Sequence, residues 1–361
     1  CTTNLPTPTI ADGSDYFDVL TWTGTSSAAS TRSFTGLSFS PDFVWTKIRS
    51  LSYNHQIYDV VRGAGNDKSL SSHTNSTEPD GAPATYGYLS SFDSAGFTFT
   101  KGAATGSPFG YAYYDSVSQT YVGWCWDGGS STVSNTDGSI TSSVRANQTA
   151  GFSVVTYSGN GSTSGSVGHG LNAAPGMVIV KARNATKDWK VAHSSLSSQY
   201  MVSLNTTSIA KIAGWNGMDS SVFYPARSGD TYNNTSGDNY VAYCFAPVAG
   251  YSAIGSYEGN GSSDGPFIAL SFRPALVILK NADNSSSSWK IYDNKRDPDN
   301  AISAQLYPNL NSAEIDGARM DFVSNGFKLR TAGSEDNGSG NTIIYYAVAE
   351  NPFQANGGLA R

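Results

Sequence analysis

Charge is scarce in this chain. Only 14% of its 361 residues are Asp, Glu, Lys or Arg, and the formal net charge is -6. No basic block occurs, so a nucleic-acid partner, whose phosphates require a Lys/Arg surface, is not expected. Long apolar runs are missing as well. No stretch approaches the ~20 residues of a membrane-crossing helix, so membrane insertion is not expected. Cysteine is nearly absent, and three residues make no disulfide framework. Cys125 and Cys244 lie inside apolar strands, Trp124-Cys125-Trp126 and Tyr243-Cys244-Phe245, and read as small buried hydrophobes. An initiator methionine is lacking, so the chain reads as a fragment or a processed product.

Catalytic signatures are missing too. His55, His73, His169 and His193 show no metal-type spacing, and neither Cys-x-x-Cys nor Gly-x-Ser-x-Gly occurs. Gly159-Asn160-Gly161 and Gly259-Asn260-Gly261 start like a dinucleotide fingerprint, but the third glycine and the following helix are absent, so they read as hairpin turns. No metal or cofactor is expected, and the chain is read as a non-enzyme. Asp297-Pro298-Asp299-Asn300 is either a calcium loop or, the simpler account, a tight polar turn.

What is present is a threefold internal repeat, marked by a short apolar run that opens on proline and closes on lysine. The copies are Pro41-Asp42-Phe43-Val44-Trp45-Thr46-Lys47, Pro175 to Lys181 and Pro274 to Lys280. The apolar side chains, continuous in the second and third copies, suit a central strand covered on both faces, with the lysine marking where the strand leaves the core. Each repeat opens on an alternating strand ending in an aromatic residue and glycine, at Trp22-Thr23-Gly24, Tyr157-Ser158-Gly159 and Tyr257-Glu258-Gly259. Each closes on an aromatic strand, 121–126, 240–246 and 343–349. Asp59, His193 and Asp293 occupy one repeated position. Asp59 with Arg62, and Asp293 with Arg296, read as ion pairs that pin a loop.

Helical stripes are nearly absent, and short strands with turn signals dominate. The expected fold is all-β, as three tandem β-sandwich (jelly-roll or concanavalin-like) domains. The boundaries are a linker over 1–15, repeat one over 16–127, a hairpin linker over 128–150, repeat two over 151–250, repeat three over 251–354 and a tail over 355–361. Asp137-Gly138 is a two-residue turn signal at the centre of the hairpin. Repeats two and three abut at Ala249-Gly250-Tyr251, which predicts that they pack on one another.

Repeat one is longer than the others, and the surplus falls in 69–88 and 102–119. These loops concentrate aromatic residues, with Tyr86, Tyr88, Tyr111, Tyr113 and Tyr114 beside Asp115. Such rings suit ligand recognition by loops on a rigid sandwich. The alternative is that they pack over the core of repeat one or between subunits.

Gly151-Phe152-Ser153-Val154-Val155-Thr156-Tyr157, Gly168-His169-Gly170-Leu171, the run from Pro175 to Lys181 and Tyr240 to Ala246 together resemble a repeat of virion structural proteins of tailed bacteriophages, especially marine ones. Ser139 to Asn147 and Gly265 to Lys280 fit the same pattern. The resemblance covers Asn4 to Phe353 and brings no catalytic residues with it. It implies a tail-fibre-like adhesin located in the virion. Its partners would be a host-surface polysaccharide or receptor and other virion proteins, in a homo-oligomer that is trimeric by analogy with phage fibres. A structural spacer or decoration protein, and a polysaccharide depolymerase, are the rival expectations.

Overall fold

The computed structural model describes residues 9–25, 30–104, 112–209, 212–227 and 229–351. Residues 1–8 of the expected linker, the tail 355–361 and Tyr111 lie outside these. The described chain is all-β, built from several antiparallel sheets.

Repeat one holds β1 (Phe17–Thr23), β2 (Thr31–Thr35), β3 (Phe43–Ile48), β4 (Gln56–Asp59), β5 (Tyr88–Asp93), β6 (Gly96–Thr100) and β7 (Thr120–Trp126). A large sheet in the order β1-β7-β3-β4 faces a small one, β2-β6-β5. A one-turn helix, α1 (Pro83–Tyr86), precedes β5.

The connecting segment contributes β8 (Thr132–Asn135) and β9 (Ser142–Asn147). Repeat two holds β10 (Phe152–Ser158), β11 (Val167–Gly168), β12 (Met177–Ala182), β13 (Lys190–His193), β14 (Tyr200–Ser203), β15 (Ile212–Ala213), β16 (Val222–Phe223) and β17 (Asn239–Phe245). Repeat three holds β18 (Ser252–Glu258), β19 (Phe267–Ala269), β20 (Arg273–Asn281), β21 (Lys290–Asp293), β22 (Met320–Val323), β23 (Gly326–Leu329), the one-turn α2 (Ser334–Asn337) and β24 (Thr342–Asn351).

The strand order of the large sheet recurs. It is β10-β17-β12-β13 in repeat two and β18-β24-β20-β21 in repeat three. The proline-to-lysine run is therefore the third strand of each sheet, between the closing strand and its following hairpin partner. The small sheet is β19-β23-β22 in repeat three but shrinks to β11-β16 in repeat two.

Alternation along β3 and β12 explains how the layers stack. Val44, Val178 and Val180 face the small sheet of their own repeat. Phe43, Trp45, Met177 and Ile179 point the other way, into a cluster shared by all three repeats that also takes Ile278 and Tyr346. Ring pairs cross the seams, with centroids at 4.4 Å for Phe43 and Tyr243 and 4.7 Å for Phe245 and Tyr346. The sandwiches thus turn the outer faces of their large sheets toward one another around a common apolar centre. The void left there is about 10 Å³ and apolar, no larger than one ordered water needs and without polar partners for it.

The seams form a closed ring. Tyr243 of repeat two donates through its hydroxyl to Asp59 of repeat one (2.8 Å). His193 of repeat two reaches the Tyr345 carbonyl of repeat three (3.1 Å). Trp124 of repeat one donates through Nε1 to Asp293 of repeat three (2.9 Å). A second ring runs beside it. Trp189 donates to the Ser71 carbonyl, Trp289 to the Ser203 carbonyl, and His55 Nε2 meets the Tyr307 carbonyl at 3.0 Å.

Three details differ from the sequence reading. The run's lysines do not leave the core, since Lys47, Lys181 and Lys280 are all buried. Each ammonium is held by the carbonyl of the next residue, Ile48, Ala182 or Asn281, and by loop carbonyls such as Leu51, Asn75 and Ser287. Within 128–150, β8 and β9 pair as a ribbon, but the connection is longer than a two-residue turn. Ile140 leaves the hairpin to donate to the Ser166 carbonyl, so the chain needs residues 136–141 to turn back. Finally, residues 9–15 pack rather than trail: Ile10 is in the central cluster, and Asp12 caps a short turn over Gly13–Asp15.

Candidate functional site

The tyrosines of repeat one were the candidate ligand contacts, and of the four described the structure turns two, Tyr113 and Tyr114, inward. Tyr113 and Tyr114 are 3% and 0% exposed, and Asp115 is 0% exposed. The Tyr113 hydroxyl donates to the Gly81 carbonyl. Tyr114 stacks on Phe99, with ring centroids 5.3 Å apart. Tyr86 and Tyr88 are half-buried, and Tyr86 packs edge-on against Tyr113 at 5.6 Å. Packing over the core of repeat one is what the described members of this group do.

Asp115 shows why. It lies nine residues before the closing aromatic Trp124, as Asn234 does before Tyr243 and Asn337 before Tyr346. All three side chains accept from the backbone N–H just after the opening glycine: Thr25 to Asp115 (2.8 Å), Asn160 to Asn234 (3.1 Å) and Asn260 to Asn337 (2.8 Å). The opening aromatics complete the device. Trp22, Tyr157 and Tyr257 donate to the carbonyls of Tyr114, Asn233 and Asp336, one residue earlier. Asp115 is the repeat-one copy of a scaffold clamp, further tied by an ion pair to Arg32. The shared nine-residue spacing was the signal in the sequence that identifies it.

The other expectations resolve locally. Asp59–Arg62 and Asp293–Arg296 are buried ion pairs. Each continues into a second carboxylate and a neighbouring repeat: Arg62 to Glu78 to Arg183, and Arg296 to Glu314 to Arg49. Asp297 is a turn residue, because its Oδ2 already accepts from the Ser303 hydroxyl and the Ala304 amide. Among the described residues no group of three His, Cys, Asp or Glu is placed to hold a metal. No helix among them is long and apolar enough to cross a membrane.

Two grooves lie along the β8–β9 ribbon, where the repeats differ. The ribbon adds to the β10 edge and extends the sheet of repeat two past repeat one. The larger groove, of about 550 Å³, is lined by Tyr16, Phe39 and Asp127 of repeat one and by Arg145, Asn147 and Gln148 of the ribbon. Asp42 anchors its base. It is buried, ion-paired to Arg145 Nε (2.7 Å) and bonded to the Gly128 amide (2.8 Å). Burial pushes its carboxyl up to about 6, against the pull of Arg145. Asp127 is oriented from both sides, by the Gly129 amide (2.7 Å) and by Asn147 Nδ2 (2.9 Å). Gly129 allows this approach. Its φ is +102°, and a Cβ there would sit 2.5 Å from the Ala146 carbonyl oxygen.

A carboxylate accepts about four hydrogen bonds, so Asp127 keeps capacity facing the groove. With a guanidinium edge, two amides and the half-buried Tyr16 ring, the lining matches a ligand rich in hydroxyls. A smaller groove of about 210 Å³ continues along the other end of the ribbon, over Ser134, Ser143, Thr156, Ser158 and Arg183.

One family model matches the chain, described as a domain of unknown function (DUF7483), over residues 12–352. The chain belongs to the DUF7483 family. The matched span, 12–352, takes in all three repeats and the ribbon and not one sandwich alone. No curated protein and no solved structure matches the chain.

Proposed function

We propose that this DUF7483 unit is a non-catalytic recognition module of a phage virion appendage, and that it binds a host-surface polysaccharide along the ribbon groove. The observation that supports this is the groove itself: a broad, polar, aromatic-edged concavity built on a rigid body at the place where the repeat pattern is broken. The phage assignment rests on the sequence resemblance. In this reading the chain sits in a homo-oligomer, trimeric by analogy with fibres, and contacts other virion proteins. The seams between repeats are used up inside one chain, so neighbours join through its outer surfaces.

Binding is favoured over depolymerisation by the state of the acids. Hydrolysis of glycosides ordinarily uses two carboxyl groups facing one substrate. Among the groove-lining residues Asp127 is the one carboxylate, and Asp42 beneath it is closed off by Arg145 and Gly128.

The test is binding of purified protein to host cells and to extracted host polysaccharide. Asp127→Ala and Tyr16→Ala are expected to weaken binding about tenfold or more, equivalent to ~1.4 kcal/mol, with unchanged circular dichroism. Unchanged affinity in both variants removes the groove from the proposal. Absence of any host binding by the parent protein favours the spacer role.

A further inference from the structure

Beneath the outer sheet of repeat three lies a cluster that the recognition reading does not use. Lys290, the first residue of β21, and Asp336, in α2, are both 0% exposed at their side chains. The ammonium nitrogen is 2.8 Å from each carboxyl oxygen of Asp336. One contact is an aligned hydrogen bond, while the other oxygen, Oδ1, is buried without one. Glu335 reaches the same nitrogen from the adjacent position, at 2.9 Å. The Tyr307 ring lies 6.0 Å from it. Arg319 approaches Oδ2 of Asp336, the oxygen that accepts from Lys290, at 3.8 Å.

We propose that Lys290 and Asp336 condense to an intramolecular isopeptide bond, with Glu335 as the proton-transfer group. The geometry supplies what the reaction needs. A nitrogen equidistant from both oxygens has the carboxyl carbon near the ~3–3.5 Å spacing of a near-attack arrangement. The two groups that would join are closed to water, which favours condensation over hydrolysis, while the Glu335 side chain, 35% exposed, borders solvent. Burial raises the Asp336 carboxyl above its usual range, partly offset by Lys290, so the neutral acid is accessible.

The steps balance without any co-reactant. The Lys290 ammonium gives one proton to the Glu335 carboxylate. The freed amine attacks Cγ of the neutral Asp336 acid, forming the C–N bond, and Arg319 faces the oxygen that gains charge. The amine's second proton and the acid's hydroxyl leave together as water when the C–O bond breaks, with Glu335 relaying that proton. Glu335 ends protonated and returns its proton to solvent.

The position is particular to repeat three. Lys190 and Asn233 occupy the same places in repeat two, but Lys190 is held by the Ser203 hydroxyl (2.9 Å) and the Asn233 amide points at Met201 Sδ (3.4 Å). Repeat one has Gln56 and Tyr114 there. Neighbouring Asn337 is excluded as the acyl partner, because its amide nitrogen already serves Asn260, Ser262 and Thr331. The bond would tie the start of β21 to the turn that launches β24, closing a loop that contains β22 and β23.

Intact mass of the denatured full chain decides this. The parent protein is expected to be lighter than its sequence by one water, about 18 Da, and tryptic digestion is expected to yield a branched peptide joining Lys290 to Asp336. Lys290→Met and Glu335→Gln are each expected to restore the full sequence mass, and Glu335→Gln to lower the thermal midpoint. Mass is read after unfolding, so it reports whether or not a variant folds well. A parent chain at full sequence mass overturns the proposal. So does a water loss that persists in Lys290→Met, which would mark a cyclised Asp elsewhere.

Discussion

Position 193 shows how one side chain answers to its partner across a seam. Asp59 and Asp293 face donors, the Tyr243 hydroxyl and Trp124 Nε1. His193 faces an acceptor, the Tyr345 carbonyl. Burial pulls its imidazole down to about 4, so the neutral ring donates from Nε2 while Nδ1 accepts from the Ser195 amide. His193→Asp would set a carboxylate against that carbonyl, and a loss of about 2–3 kcal/mol is expected in denaturant unfolding. Asp59→Ala leaves the buried Arg62 with Glu78 as its remaining carboxylate and is expected to cost about 3 kcal/mol, whereas Tyr243→Phe removes the bond to Asp59 and the one from Arg62 Nη2, for about 1–2 kcal/mol. Gly159 is constrained by space: a Cβ there would sit 2.2 Å from the Thr235 carbonyl oxygen. Gly159→Ala is expected to lose about 3 kcal/mol. Gly237→Ala, at φ +84° with nothing within 4 Å, should lose only about 1 kcal/mol of backbone strain. Equal losses in the two would contradict the steric account.

At the scale of elements, the Arg145–Asp42 ion pair helps tie the ribbon to repeat one. Arg145→Leu strands Asp42 in the base of the groove, and a loss of about 3 kcal/mol is expected. Hydrogen exchange should accelerate in 132–147 while 320–329 keeps its protection; uniform acceleration would mean the ribbon is not a separate unit. The scaffold strands were legible in the sequence because alternation and a repeated spacing report local geometry. The proline runs, the opening aromatic-glycine pairs and the closing strands all fall where the repeat predicts. The clamp at Asp115 leaves a mark in the sequence, its nine-residue spacing to the closing aromatic, but the aromatic residues around it suit ligand binding equally well. Glu78 and Glu314 were not legible. Their partners Arg183 and Arg49 lie 105 and 265 residues away, and nothing local marks a carboxylate that closes a seam. The groove was hidden for the same reason, because Tyr16 and Asp127 meet Arg145 only when the ribbon joins the β10 edge.

At the scale of the molecule, three sandwiches share one apolar centre, so none can lose its large sheet without exposing the others. A single unfolding transition is expected, with tryptophan fluorescence and far-ultraviolet dichroism coincident; separate transitions would mean independent sandwiches. Its pH dependence follows from the lysines that close the three proline-to-lysine runs. Burial pulls Lys47 down to about 7, and Lys181 and Lys280 down to about 8. In the unfolded chain they return to 10.5. Between the folded and unfolded values the unfolded state holds more protons, so stability rises with pH across that window. The buried tyrosines act in the opposite sense at higher pH. Burial raises Tyr121 to about 12 and Tyr157 and Tyr243 well above 10. Above pH 10 the unfolded tyrosines ionise first, and stability falls. The thermal midpoint is therefore expected to climb from pH 7, peak between about 9 and 10, and then drop. Lys47→Met should flatten the lower part of that climb, since Lys47 titrates first, and leave the alkaline fall unchanged. A midpoint that declines steadily from pH 7 would mean that the lysines are charged in the fold and held by more than the carbonyls around them.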